Sequence, residues 1–342
     1  MKIFYTSISI IVISLLFLFC QDNKSVDNIY ESQEKLNYKL EIIDTLIVDG
    51  NFNLGAVKAL VFWNNDYIIS DNITNKIWVL DSNLSVKREM GGKGRGPGEF
   101  ISSPNIAYDS STIDFIDYRG KKIYTYDKNY TLIKTNNFNR EMIIHSFSWV
   151  KTKDRYILCG SKPDPKKKMD ELGSVLILDS NLNYIDNILD WDDIYHEMTA
   201  GAVYNMIVKL TGGKKGYFFA QQTAVPNKVF CFDLQGKLEK RFGRLPKYYK
   251  KPPEIPVEKV MASVEATAKF VANITRVKNM CYDKKTDRLF INYVNLFESA
   301  SYLRSGLEGE HYLQIYNSDY DLIFDESIPG SLLFVKDKKI YI

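Results

Sequence analysis

The stretch Gly91-Gly-Lys-Gly-Arg-Gly-Pro-Gly-Glu-Phe100, followed four residues later by Pro104, decides how the chain is read. Five glycines and a proline in ten residues cannot continue a helix or a central strand, because glycine loses much backbone entropy on ordering and proline has no N–H to donate. Apolar, strand-like runs flank it, residues 76–90 before and 105–116 after. The stretch is a junction between two sheets.

Outward from that junction, one hairpin recurs five times. Its turns are Asp81-Ser-Asn-Leu-Ser-Val, Asp127-Lys-Asn-Tyr-Thr-Leu, Asp179-Ser-Asn-Leu-Asn-Tyr, Asp233-Leu-Gln-Gly-Lys-Leu and Asn317-Ser-Asp-Tyr-Asp-Leu. Each follows one alternating strand (KIWVL, KIYTY, SVLIL, KVFCF, YLQIY) and precedes another. Asp, Asn and Gly tolerate tight-turn backbone, and period-2 alternation is the strand signal. The turns lie 46, 52, 54 and 84 residues apart, and a repeat of about 45 residues with four strands is that of propeller blades. Two more strands precede the hairpin, at 57–63 and 67–70 in the first unit and at 104–109 and 113–117 in the second. In both units an aspartate, Asp71 or Asp117, stands ten residues before the turn aspartate.

The C-terminal LLFVKDKKIYI of residues 332–342 aligns with LVFWNNDYIIS of residues 60–70, which splits a sixth unit between the ends of the chain. The C-terminus would supply its two inner strands and residues 39–48 its outer part. With the chain ending at Ile342, room remains for three strands. Closure by N- and C-terminal strands removes exposed sheet edges. The expected fold is therefore all-β, a six-bladed β-propeller over residues 38–342. Residues 244–275 break this pattern with Pro253 and Pro256, then place Val257, Val260, Met261, Val264, Ala268 and Val271 at helical spacing. They predict a helical insertion between blades four and five, as a lid on the propeller's own surface or a partner's docking face.

The order GPGEF, proline, strand, aspartate-containing strand and hairpin strand ending in Asp resembles the NHL-type and TolB-like six-bladed propellers. More narrowly, it resembles the six-bladed propeller lipoproteins common in Bacteroidetes. The resemblance implies a fold and a cell-envelope location, and no activity.

At the N-terminus, Lys2 precedes an unbroken apolar run, residues 8–19, ending at Cys20, and a polar stretch follows. This resembles a bacterial lipoprotein signal, with residues 1–19 as signal peptide, lipid on the Cys20 thiol and residues 20–37 as a flexible tether. It departs from that pattern at Phe19, where a small residue is usual. An uncleaved N-terminal anchor or simple secretion are the alternatives, and all three place the domain outside the cytoplasm. Lipid anchoring at the outer membrane fits the Bacteroidetes resemblance.

A hydrophobic content of 45% and a charged content of 25% in 342 residues are ordinary for a globular chain. The net charge of +3, without a basic arm, gives no reason to expect nucleic acid as a partner. With Cys20 consumed, Cys159, Cys231 and Cys281 are expected as free thiols.

Propeller topology gathers the long segments 91–100, 161–173, 189–201, 244–275 and 296–310 on one rim, the candidate binding surface. In it Asp190-Trp-Asp-Asp-Ile-Tyr-His-Glu197 sets Trp191, Asp192, Asp193, Tyr195 and His196 side by side, a grouping suited to sugar stacking or cation binding. Lys93 and Arg95 are candidate anion contacts, while Glu99 is expected to fasten its own loop. No phosphate-loop motif is present, His145, His196 and His311 lack metal-ligand spacing, and no GxSxG occurs. No cofactor is expected. The expected function is an envelope lipoprotein that binds a glycan, peptide or protein partner through the loop-rich rim. The alternatives are a lyase, lactonase or hydrolase with a divalent metal in the central channel, and a structural subunit of an envelope assembly.

Overall fold

The computed structural model describes residues 54–139, 141–168, 171–193, 207–214, 216–223, 225–251, 253, 255–297, 309–336 and 339–342. These belong to one compact unit, Tyr38–Ile342. Cys20, the signal and tether segments and the strand expected at 39–48 lie outside the described residues.

The strands form five four-stranded antiparallel sheets and one two-stranded sheet. Blade one is β1 (Val57–Trp63), β2 (Asp66–Asp71), β3 (Lys76–Leu80) and β4 (Val86–Gly91). Blade two is β5 (Asn105–Tyr108), β6 (Ile113–Asp117), β7 (Lys122–Tyr126) and β8 (Leu132–Asn137). Blade three is β9 (Ile143–Lys151), β10 (Arg155–Ser161), β11 (Val175–Asp179) and β12 (Tyr184–Ile188). Blade four is β13 (Val208–Gly212), β14 (Tyr217–Gln222), β15 (Val229–Asp233) and β16 (Leu238–Phe242). After helices α1 (Val257–Met261) and α2 (Val264–Ala272), blade five is β17 (Thr275–Asp283), β18 (Arg288–Leu296), β19 (Gly309–Tyr316) and β20 (Leu322–Ile328). The short β21 (Phe334–Lys336) and β22 (Lys339–Tyr341) represent blade six.

Burial is greatest in the middle strands of each blade and least in the outermost, and the sequence follows it. Asp66–Asp71 is buried at every position because neighbouring blades cover both of its faces, whereas Val86–Gly91 at the periphery is rich in charge and mostly exposed. The core is divided among the six gaps between blades. Ile116 and Ile123 meet Leu158 and Leu176 between blades two and three. Phe290 and Leu313 meet Leu332 between five and six, and Tyr67 and Trp78 meet Phe334 between six and one. The innermost strands touch in cyclic order, with β21 against both β17 and β1. The molecule is a six-bladed β-propeller ring.

All five repeated turns have one geometry. The Oδ1 atom of the first residue accepts from the backbone N–H groups two and four residues later, as in Asn83 N to Asp81 (2.8 Å) and Ser85 N to Asp81 (3.0 Å). Asp127, Asp179, Asp233 and Asn317 repeat it. The fourth residue is left-handed, and it is Gly236 in one turn but Leu84, Tyr130, Leu182 and Tyr320 in the others. A left-handed non-glycine costs roughly 1–2 kcal/mol. Burying a side chain of this size gives back about 1.5–3 kcal/mol, and Leu84, Tyr130 and Leu182 are buried.

The insertion contains two short helices where the periodicity suggests one. Ser263 breaks the run with extended backbone and caps α2, accepting from Ala266 N at 3.0 Å. Val260, Phe270 and Ile274 pack on Val294 and Leu296 of β18, so the insertion is fastened to its own propeller. Cys159, Cys231 and Cys281 are free thiols. Among the described residues no helix is long and apolar enough to cross a membrane.

Candidate functional site

Up-and-down strand order sends the turns between first and second strands, and between third and fourth, to one face. These are minimal, as at Asn64-Asn65, where both residues have positive φ. Second-to-third connections and inter-blade segments emerge on the opposite face, including residues 92–104, 162–174 and 243–274. That face is loop-rich.

At the junction of blades one and two the glycine-rich stretch folds back on itself. Gly94 N donates to Phe100 O (3.1 Å), Phe100 N donates to Gly92 O (2.9 Å), and Gly96 N donates to a Glu99 carboxylate oxygen (2.7 Å). A side chain at Gly91, where φ is +78°, would overlap the Phe100 ring, and one at Gly94 would overlap the Glu99 carboxylate. Phe100 is wholly buried against Phe115 and Tyr124. Glu99 thus fastens the loop. Lys93 and Arg95 are exposed on it, and Arg95 borders a cavity of about 190 Å³ shared with Glu99, Asp117, Lys122 and Tyr124.

The repeated strand-end carboxylates are clamps. Asp117 accepts from Ile101 N (2.6 Å), Ser102 N (3.1 Å), Ser102 Oγ (2.8 Å) and Gly120 N (3.0 Å). Asp71 accepts from Gly55, Ala56, Ile73 and Thr74 backbone N–H groups. Burial would raise the Asp71 carboxyl, but these donors outweigh it and hold the pKa down to about 2. Amides replace the acids in later blades. Gln222 bonds Asp192 N and Asp190 O, and Asn295 bonds Thr275 Oγ1 and Tyr248 O. Each ties an incoming inter-blade segment to the second strand of a blade.

Of the expected binding loop at residues 189–201, the structure describes residues 189–193. Trp191 is 4% exposed and packs with Val150, Ile157 and Phe218 in the core between blades three and four, so its ring is an anchor and not an open stacking platform. Asp192 is ion-paired with Lys228, and Asp193 is exposed. Tyr195 and His196 lie outside the described residues, as does the His145 side chain. Lys93 and Arg95 belong to the first inter-blade junction and Asp192 to the third, so the structure does not bring these candidates together.

Three cations not singled out beforehand lie on the innermost strands of blades four and five. Lys209 on β13 alternates with Val208 and Leu210, which are in the core, and Arg276 and Lys278 on β17 flank buried Val277. All three cations are half-buried and near the strand starts, at the loop-rich end. Burial, together with the charges of Lys209 and Arg276, lowers the Lys278 pKa to about 7. Burial likewise lowers Lys209 to about 8, with the Cys159 thiol pulling upward and Arg276 pushing further down. Nearer blade one, Lys58 donates to Ser103 O and is lowered to about 8 by burial, against the pull of Asp117. The signal for the cations was present as VKL and RVK at the starts of the innermost strands. Without a glycine-rich junction in those blades, nothing marked where the strands begin. Among the described residues no cluster of metal-ligating side chains occurs.

Comparison with known proteins agrees with the fold. The model of the DUF5128 family, described as a 6-bladed beta-propeller, matches residues 22–203. A DUF4221 family member from Bacteroides vulgatus superposes with a TM-score of 0.58 at 13% identity, covering 86% of this chain and 88% of that one. A candidate exported protein from Bacteroides fragilis superposes with a TM-score of 0.52 at 13% identity, covering 83% of this chain and 74% of that one. A gluconolactonase from Xanthomonas campestris reaches a TM-score of 0.46 at 11% identity, covering 81% of this chain and 77% of that one. No curated protein matches the chain.

Proposed function

The chain belongs to the DUF5128 family of 6-bladed β-propellers, and on that footing we propose that it is a cell-envelope lipoprotein whose loop-rich face binds a glycan, peptide or protein partner. Cys20 is the lipid anchor in this reading, the outer membrane its place, and the NHL- and TolB-like likeness of the first junction its kinship. The supporting observation is the asymmetry of the ring: one face carries minimal turns, and the other carries long segments such as residues 92–104, 162–174 and 243–274. The carboxylates of Asp71 and Asp117 are occupied as clamps.

Masking each face in turn tests this proposal. A polyethylene glycol chain would be attached by maleimide to the full chain at Lys93→Cys, on the loop-rich face, or at Ser82→Cys, on a hairpin turn. The native thiols would not compete, since the Cys20 thiol carries the lipid in this reading, Cys159 and Cys231 are buried, and burial pushes Cys281 up to about 12. On arrays of envelope glycans and peptides, masking position 93 is expected to abolish capture and masking position 82 to leave it unchanged. The reverse pattern, or no capture by the unmodified chain, would overturn the proposal.

A further inference from the structure

The cavity at the first junction is built from both kinds of loop that make up the loop-rich face. Arg95 and Glu99 come from the segment joining blades one and two, and Lys122 opens β7 just past its turn from β6. The volume of about 190 Å³ equals that of roughly six waters in the liquid. Enclosing a whole drug-sized ligand takes about 300 Å³ or more, so this space suits one ring or one terminal group. Its walls are preformed. Backbone hydrogen bonds from Gly94 N to Phe100 O and from Phe100 N to Gly92 O close the loop, and a side chain at Gly120 would overlap the Asp117 carboxylate.

The charges on these walls are unequally satisfied. Asp117 accepts four hydrogen bonds, from Ile101 N, Ser102 N, Ser102 Oγ and Gly120 N, so its acceptors are committed to the fold. Glu99 accepts from Gly96 N on Oε2 alone, and its Oε1 has no protein donor among the described residues. Among the described residues neither the Arg95 guanidinium nor the Lys122 ammonium has a hydrogen bond or an ion pair. Arg95 is exposed and Lys122 half-buried, which sets one donor at the rim and one further in. Ile101, 40% exposed, adds an apolar patch to the same wall.

We infer that this cavity binds a sugar-acid residue, with its carboxylate on Arg95 and Lys122 and a ring hydroxyl donating to Glu99. The inference rests on the loop-rich face being the binding face and makes its partner an acidic glycan. The guanidinium offers a planar fork that matches a carboxylate, and the ammonium adds a point charge. The C–H face of the sugar ring covers Ile101. Two positive and two negative side chains line the cavity, so a single negative charge flanked by hydroxyls fits it, whereas a dianionic phosphate meets the carboxylates of Glu99 and Asp117.

Calorimetric titration of the full chain with glucuronate, glucose and inorganic phosphate tests the inference. Saturable binding of glucuronate is expected, tighter by about tenfold or more than that of glucose or phosphate. Arg95→Gln and Lys122→Met should each weaken glucuronate by about tenfold or more and leave the denaturant midpoint where it is. Lys166→Gln, which removes a charge from an exposed loop, should bind as wild type does. No saturable glucuronate binding below about 20 mM, phosphate or glucose binding as tightly as glucuronate, or Arg95→Gln and Lys122→Met chains that bind like wild type overturns the inference. Equal weakening by Lys166→Gln, the mark of diffuse charge attraction, overturns it too. Array capture through the loop-rich face that survives in Arg95→Gln and Lys122→Met would sink the sugar-acid site and leave the binding face standing, whereas no array capture at all would sink the binding face itself.

Discussion

Asp325 on β20 is held by two donors and lacks a third. Its Oδ2 accepts from Lys247 N (3.0 Å) and Gln314 Nε2 (3.0 Å), while Oδ1 is buried with no hydrogen-bond partner among the described residues. Burial, against the pull of those donors, pushes the carboxyl up to about 6 from 3.8. The native state therefore holds the proton more tightly than the unfolded chain. The penalty is present in full above pH 6 and is relieved as pH falls toward 3.8. Asp325→Asn is expected to be more stable than wild type by ~1–2 kcal/mol at pH about 8, with the gap closing near pH about 4. Urea unfolding at a series of pH values measures it, and a constant gap would contradict the assignment. Asp71 behaves oppositely. Its depressed pKa contributes stability that is present above 3.8 and lost as pH falls through about 2.

At the scale of the element, the clamps are what turn five separate sheets into neighbours with fixed spacing. Asp117→Ala leaves the N–H groups of Ile101, Ser102 and Gly120 without their acceptor at a buried site, which is expected to cost ~3 kcal/mol or more. Asp193→Ala, at an exposed position, is expected to stay within ~0.5 kcal/mol. Denaturant midpoints of the two variants check the contrast. The hairpins and the first junction were legible in the sequence because their chemistry is local: Asp81 bonds backbone two and four residues away, and Gly91 must be glycine to lie against Phe100. The long-range parts were not. Whether Trp191 stacks on a ligand or fills the gap beside Phe218 depends on a blade far along the chain. The split of the insertion turned on whether Ser263 continues a helix or caps one. Lys209 and Lys278 lie far apart in sequence, and only ring geometry brings them together.

For the whole molecule, the six inter-blade cores and the cyclic contact of innermost strands set one axis, and everything said about function follows from what that axis exposes. A ring whose first and last blades meet, with β21 seated between β17 and β1, has one plain face and one elaborated face. Strand direction alone decides which face each loop occupies. The most direct test is a crystal structure of the full chain. The account predicts six sheets about one axis with β21 seated between β17 and β1, and innermost strands that do not share an axis would contradict it.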